Sequence, residues 1–341
     1  MKNLKWVIEV FFFILGLALF GLVIKSSEPE RLREIFMALH GSEWAVFGIY
    51  PFMCLWDVAA WKMVFAGPFR VRLKLPDLFA IRLAGEAVNN ITPVIDIGGE
   101  PLKVVLVSRR FEIPKRKSLA AGVIGRTALL AAEIIFMVLG LFCSFFWLPL
   151  PFEWRFGTLV VIFVFAAVVW FLIFAQKKGL FVTFIRWLGF FQFDPELFKR
   201  LHIPLKEVDD DVSSFYATEK HQFHRAVLFH TIGWISGCVE MYFMFRIVGA
   251  PVSLWEALIL ESVLQTVRTA SFFIPANLGT QEAGLAFLIQ AAGYHPALGV
   301  AVSLLKRLRQ IIWVAIGFAI WGLYRTFVPK EISENDATSS P

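Results

Sequence analysis

"NNITPVIDIGGEPLK", residues 89–103, is the stretch on which the reading of the fold turns. It holds two adjacent amides, a proline, an aspartate, a Gly-Gly pair and a Glu-Pro, and apolar sequence surrounds it on both sides. Proline and glycine break helices, and an ionised carboxylate resists burial. Such a segment is either an ordinary surface loop or a bend held inside a membrane protein. The solvent of the surrounding chain decides between them.

Of 341 residues, 58% are hydrophobic, 37 are Phe and 12 are Trp, and the mean hydropathy is +0.68. An ordinary soluble domain is far less apolar, so the chain reads as an integral membrane protein. The net charge of +6 comes mainly from Lys and Arg in the short connections between apolar runs. That placement is a topology signal; anionic lipid headgroups, not nucleic acid, are the expected contact. Cys54, Cys143 and Cys238 sit singly in apolar runs and offer neither a disulfide framework nor metal-ligand spacing. His221, His224 and His230 form no zinc pattern, and no Walker A run or GxGxxG occurs. No metal, no cofactor and no direct use of a nucleotide are expected.

Six stretches have the roughly 20 apolar residues that cross a hydrocarbon core: 6–24, 44–66, 119–148, 156–175, 225–248 and 298–325. The first follows Lys2 and Lys5 without a small-residue cleavage site, so it is expected to remain as an anchor. Two further stretches, 77–110 and 253–292, are interrupted near their middles by Pro and Gly. Arg70, Arg72 and Lys74 precede the first of these, and Arg109, Arg110, Lys115, Arg116 and Lys117 follow it, which puts both its ends in the cytoplasm. "GAPVSLW" (249–255) and "AAGYHPA" (291–297) flank the second and contain no Lys or Arg, which puts both its ends outside. These assignments are consistent, with both termini inside, if each interrupted stretch enters and leaves by one face. "TPVIDIGGE" and "IPANLGTQE" are then the bends of two opposed re-entrant helical hairpins. Polar backbone at membrane depth is tolerated only in protein or beside a water-filled cavity, so opposed bends imply a shared cavity.

The expected fold is an all-α polytopic membrane protein of about six full transmembrane helices plus the two hairpins. Residues 1–40 form the N-terminal anchor helix and loop, 41–175 the first half, 176–222 a cytoplasmic and interfacial connection, 223–328 the second half and 329–341 a polar, disordered tail. Within the connection, "KKGLFVTFIRWLGFF" (177–191) reads as an interfacial amphipathic helix. "KEVDDDVSSFYATEKHQFHR" (206–225) reads as a solvated cytoplasmic helix that braces the bundle.

The halves resemble each other. Pro93 precedes Glu100 by seven residues and Pro275 precedes Glu282 by seven; Gly98 and Gly99, or Gly279, come shortly before the glutamate. A charged residue lies seven before each proline (Glu86; Arg268), and an arginine lies about 33 after it (Arg126; Arg307 or Arg309). With flanking spans running in opposite directions, this is the pattern of an inverted-topology repeat with broken helices at the midplane.

"RLAGEAVNNITPVIDIGGEPLK", "ESVLQTVRTASFFIPANLGTQEAGL" and "SLLKRLRQ" resemble the paired motifs of the lysylphosphatidylglycerol synthase transmembrane family, the flippase-like UPF0104 family, and most closely its subgroup encoded near hopanoid-biosynthesis genes. The resemblance implies a multi-pass bacterial inner-membrane protein that moves a phospholipid, hopanoid or polyprenyl-linked lipid between leaflets. Lipid-aminoacylating relatives carry a soluble synthase domain. Here only "PKEISENDATSSP" follows the last span, so transferase activity is not expected. The competing classes are an intramembrane enzyme and an accessory subunit of lipid or cell-envelope biosynthesis; no Ser/His or Cys/His constellation supports the enzyme. Besides the lipid, a second copy of the chain and lipid-biosynthesis enzymes are the partners considered.

A charge inside a span costs about 2.5–3.5 kcal/mol on insertion scales unless paired or hydrated, so each is a candidate for cargo binding. Arg82 and Glu86 stand at i,i+4 and either pair on one helix face or meet the cargo, with Asn90 one turn on. Pro93, Gly98, Gly99, Pro275 and Gly279 make the bends. Glu100 and Glu282 fall in the first turn after each bend, where the helix dipole favours a carboxylate and Thr280 can cap the second helix. Either glutamate can also handle cargo or protons. Arg126, two turns before Glu133, is the expected phosphate reader because a guanidinium bonds bidentately. Glu261 and Arg268 mirror Arg82 and Glu86; Lys306, Arg307 and Arg309 form a basic cluster in the last span. Asp57 and Lys62 are expected to pair structurally.

Overall fold

The computed structural model describes residues 14–15, 17–26, 28–37, 46–91, 99–148, 151–179 and 205–327. In chain order its helices are α1 (Leu17–Ser26), α2 (Pro29–Met37), α3 (Ile49–Met63), α4 (Gly67–Arg72), α5 (Leu75–Ile91), α6 (Glu100–Phe111), α7 (Lys115–Trp147), α8 (Phe152–Lys177), α9 (Leu205–Thr218), α10 (Lys220–Ile247), α11 (Leu254–Ala270), α12 (Thr280–Ala291) and α13 (Pro296–Phe327). Among the described residues there is no strand. The fold is all-helical and suited to lipid, where a helix satisfies every backbone polar group internally.

Among the described residues three helices, α7, α8 and α10, are long and apolar enough to cross a membrane. They coincide with the expected spans 119–148, 156–175 and 225–248. Pro114 opens α7 and Pro151 opens α8, since proline fixes the helical φ and needs no donor there. α7 turns a face of small residues inward, including Ala120, Ala121, Ala128 and Ala132, and presents Ile135, Val138, Phe142, Phe145 and Phe146 outward. This is the arrangement expected of a helix with protein on one side and lipid on the other. The span expected at 298–325 is α13, long enough but interrupted by Lys306, Arg307 and Arg309. The one expected at 44–66 contains only the 15 residues of α3, a length of about 22 Å at 1.5 Å per residue, short of a full core. Residues 6–13 and 16 of the expected span at 6–24 lie outside the described residues, as do the tail and all but the first three residues of the amphipathic stretch 177–191.

Both interrupted stretches fold as helical hairpins. α5 packs on α6, and Arg110 closes the base of that hairpin onto Asp77 at 3.0 and 3.3 Å. α11 packs on α12 across a 3-10 turn at Pro275–Asn277. The base of this second hairpin sits at the other end of α7, where Trp255 stacks on Trp147 at 4.7 Å and Phe287 on Trp154 at 4.3 Å. Because α6 leads directly into the first turn of α7, the hairpins open toward opposite ends of that helix.

Packing follows the repeat. α5 lies on α13 as α11 lies on α7, while α3 and α10 pack on each other. Glycines permit both crossings: a Cβ on Gly140 would stand 1.5 Å from Ser262 Oγ, and one on Gly317 would stand 2.4 Å from the Leu83 carbonyl. Small residues at such points let backbones approach closely.

α9 braces the bundle as its sequence suggests. Val208, Val212, Phe215 and Tyr216 are buried, and Glu207 and Asp211 accept from Arg116 and Lys117 at the start of α7. Tyr216 donates to Gln176 Oε1 at 2.8 Å and Gln176 donates to Thr127 Oγ1 at 2.7 Å, which ties the end of α8 to α7. Burial pushes the Tyr216 hydroxyl up from its ordinary pKa, so it remains a donor.

Candidate functional site

Five residues of α13, "KRLRQ" at 306–310, organise the polar interior. A helix advances 100° per residue, so these side chains leave it in different directions. Lys306 donates to Glu261 of α11 at 2.5 Å. Arg307 donates twice to Glu282 of α12, at 2.5 and 3.0 Å, and also reaches the carbonyls of Ala276 and Asn277 at 3.3 Å. Arg309 donates twice to Glu240 of α10, at 3.2 and 2.9 Å, and its guanidinium lies 4.5 Å from the centre of the Tyr50 ring on α3. Gln310 donates to Asn90 of α5. One turn and a half of helix thereby touches both hairpins and, through Tyr50 and Glu240, the helices α3 and α10.

Around Glu282 every oxygen is engaged. Gly279 N–H donates to it at 2.8 Å and Ser303 at 2.9 Å, and the side chain is fully buried. The helix cap differs from expectation: Gly279, at φ +78°, takes the N-cap position and Thr280 is the first helical residue. The cause is the 3-10 turn, where Ala276 and Asn277 adopt left-handed φ of 53° and 50° and bring the chain round one residue early. Thr280 instead donates to the Asn277 carbonyl at 3.1 Å. Pro275 begins that turn. Arg268 donates to Gln281 at 2.9 and 2.5 Å and stands 4.0 Å from Glu261. Glu133 accepts from Gln265 at 2.8 Å and Thr269 at 2.6 Å, not from Arg126.

In the first hairpin Arg82 is the centre. It donates to Glu86 at 2.5 Å and to Asp57 at 2.7 Å, with Cys54 Sγ 2.9 Å away. Tyr50 donates to Glu86, and Asn90 donates to the Glu86 carbonyl at 2.9 Å. His230 Nδ1 lies 3.0 Å from Asp57. Asp57 therefore pairs with Arg82 and His230 and not with Lys62, which lies five residues on, about 140° around α3. Beyond the bend, Gly99 N–H donates to Asn89 at 2.5 Å and Glu100 accepts from Lys103 at 2.7 Å. Pro93 and Gly98 lie outside the described residues.

The first cluster is the more open one. Glu86 keeps 32% of its side-chain surface exposed and Asp57 keeps 27%, against 6% for Glu261. Glu86 is eleven residues into α5, about 17 Å along it. Exposed charge at such depth calls for water or a polar ligand beside it. Arg126, by contrast, makes no hydrogen bond or ion pair among the described residues and is half-buried. Among the described residues no group of three His, Cys, Asp or Glu is placed to hold a metal ion.

Tyr50, Asp57, His230, Glu240, Gln281 and Ser303 complete these clusters without having been candidates for cargo binding from sequence. Glu240 and Asp57 both carry a legible signal, a carboxylate within an apolar stretch. The rest are joined to partners that no local spacing reveals.

Comparison with known proteins places the chain among membrane proteins. A UPF0104 membrane protein of Pyrococcus horikoshii is 25% identical over 240 residues, covering 66% of this chain and 69% of that protein. No solved structure matches the chain. The family described as lysylphosphatidylglycerol synthase TM region matches residues 6–317, nearly the whole length, and the chain belongs to that family of membrane proteins.

Proposed function

We propose that the protein translocates a lipid between the leaflets of the bacterial inner membrane as a flippase or scramblase. The observation that carries this reading is the 306–310 hub, through which two hairpins opening toward opposite ends of α7 share one interior. A headgroup crossing the core must exchange its water for polar groups, and the open Arg82–Glu86–Asp57 cluster offers both signs of charge at depth. In this reading the hairpins are re-entrant, and the lipid tails stay in the bilayer while the headgroup passes beside the open Arg82–Glu86–Asp57 cluster. The cargo is a phospholipid, a hopanoid or a polyprenyl-linked lipid.

Leaflet exchange in proteoliposomes tests this. Purified protein should speed the loss of inner-leaflet fluorescent lipid to a membrane-impermeant quencher. Absence of exchange with each of the three lipid classes would sink the reading; a chemically altered lipid would replace it with an intramembrane enzyme.

A further inference from the structure

We infer that Arg126 is an oxyanion-binding residue in the inner-leaflet half of the bundle, a place where a phosphate-bearing headgroup engages the protein. This deepens the translocation reading and draws its biological meaning from it; the chemistry of the site stands independently.

Internal comparison of the repeats supplies the first observation. Arg307 follows Glu282 by 25 residues and Arg126 follows Glu100 by 26. In the second half the carboxylate and guanidinium meet at 2.5 and 3.0 Å. In the first half they do not: Lys103 holds Glu100 at 2.7 Å, and Arg126 has no protein partner among the described residues. The same repeat position thus keeps its cation and lacks its internal anion. A half-buried guanidinium without a carboxylate is matched by an anion from outside, and planar bidentate bonding makes phosphate the natural one.

Neighbouring residues add to the positive character. Gly125, next to Arg126, packs toward Trp61 and Val64, whose side chains would stand 3.4 Å from a Cβ there. Lys62, next to Trp61, is also half-buried and makes no hydrogen bond or ion pair among the described residues. Lys103 lies 6.0 Å over the Trp61 ring. Depth is fixed by the other side of α7: Thr127 is bonded to Gln176, one residue before the end of α8, and Lys62 is one residue before the end of α3. Arg126 therefore stands eleven residues into α7, level with the ends of α8 and α3 and in the half of the bundle that carries Arg116 and Lys117.

The test uses the full chain in nanodiscs of neutral lipid and measures affinity by thermal shift and native mass spectrometry. The probes are dioctanoyl phosphatidylglycerol, dioctanoylglycerol with the same chains but no phosphate, and inorganic phosphate. Wild type should bind the first at least about tenfold more tightly than the second, and Arg126→Gln should remove that difference. Lys103→Gln leaves Arg126 in place but frees Glu100 to compete for it, and should weaken phosphatidylglycerol binding by about threefold or more. Binding of inorganic phosphate with equal affinity supports the oxyanion site and assigns it to a free anion; weak phosphate binding assigns it to a lipid headgroup. Unchanged phosphatidylglycerol preference in folded Arg126→Gln, or in Lys103→Gln should the first variant not fold, overturns the inference. Leaflet exchange with that preference unchanged removes the site and keeps translocation. Loss of the preference without exchange by wild type does the reverse.

Discussion

Lys306 and Glu261 face each other at 2.5 Å with 4% and 6% of their side chains exposed, and neither charge can be left alone there. Lys306→Met strands the carboxylate beside Arg268, which lies 4.0 Å off, and should lower stability by about 3–5 kcal/mol. Glu261→Leu combined with Lys306→Met removes both charges and should recover most of the loss, because paired burial contributes little net stability. Chemical denaturation in detergent micelles distinguishes these outcomes; equal losses in the single and double variants would contradict the pair as drawn. A second residue-scale expectation concerns Asp57. It anchors Arg82 at 2.7 Å and holds His230 at 3.0 Å, so Asp57→Asn should slow lipid exchange more than tenfold while Lys62→Gln leaves the fold intact, as judged by thermal melting. The charges themselves were legible in the sequence, because an ionisable residue in an apolar run is conspicuous. Their partners were legible only where the helix fixed them, as for Arg82 and Glu86 at i,i+4. Asp57 and His230 are separated by 173 residues, and no local rule joins them.

Helices were easiest to read where one solvent surrounds them. α7, α8 and α10 are apolar over a full span and emerged where expected. The pairing of α5 with α6 and of α11 with α12 was legible for the opposite reason, since Pro and Gly interrupt both apolar stretches and have to be accommodated somewhere. Less legible was the length of α3, because apolar residues continue past both ends of the helix into a 3-10 turn at 46–48 and a turn after Met63. The cap falls at Gly279 and not at the expected Thr280 because left-handed residues at Ala276 and Asn277 moved the helix start, a backbone choice that neither side chain advertises. Two crossings that bind the halves together depend on glycine and can be tested as a pair. Gly140→Leu on α7 would drive its side chain into Ser262 of α11, and Gly317→Leu on α13 would drive its side chain into the Leu83 carbonyl of α5. Each should lower thermal stability by the equivalent of about 1–3 kcal/mol or more. Gly122 and Gly157 have nothing within 4 Å of a Cβ, so leucine there should leave the melting temperature close to wild type. Indistinguishable melting of all four variants would mean that neither crossing is close.

At the scale of the molecule, the arrangement has two chemically different ends. One gathers Asp77 and Arg110 at the base of the first hairpin, Arg116 and Lys117 on α7, and the acidic face of α9. The other gathers Trp147, Trp154, Trp255 and Phe287 in stacked pairs at the base of the second hairpin, an interfacial aromatic cluster with few charges. The positive-inside bias predicts that the first end faces the cytoplasm and the second the outside. Lys115 at the start of α7 and Gln290 near the end of α12 are both exposed and belong to these opposite ends. The chain's own cysteines, Cys54, Cys143 and Cys238, are buried, so background labelling by an impermeant maleimide should be low. In intact cells Gln290→Cys should label strongly and Lys115→Cys should not, and permeabilisation should bring Lys115→Cys up to the same level. The opposite assignment would turn the protein over in the membrane and move Arg126 to the outer leaflet, while equal labelling of both in intact cells would place the two hairpin bases on one face. That second result could not coexist with α7 crossing the bilayer over its 33 residues, about 50 Å of helix. The labelling pattern therefore tests the opposed hairpins directly, before any lipid has been identified.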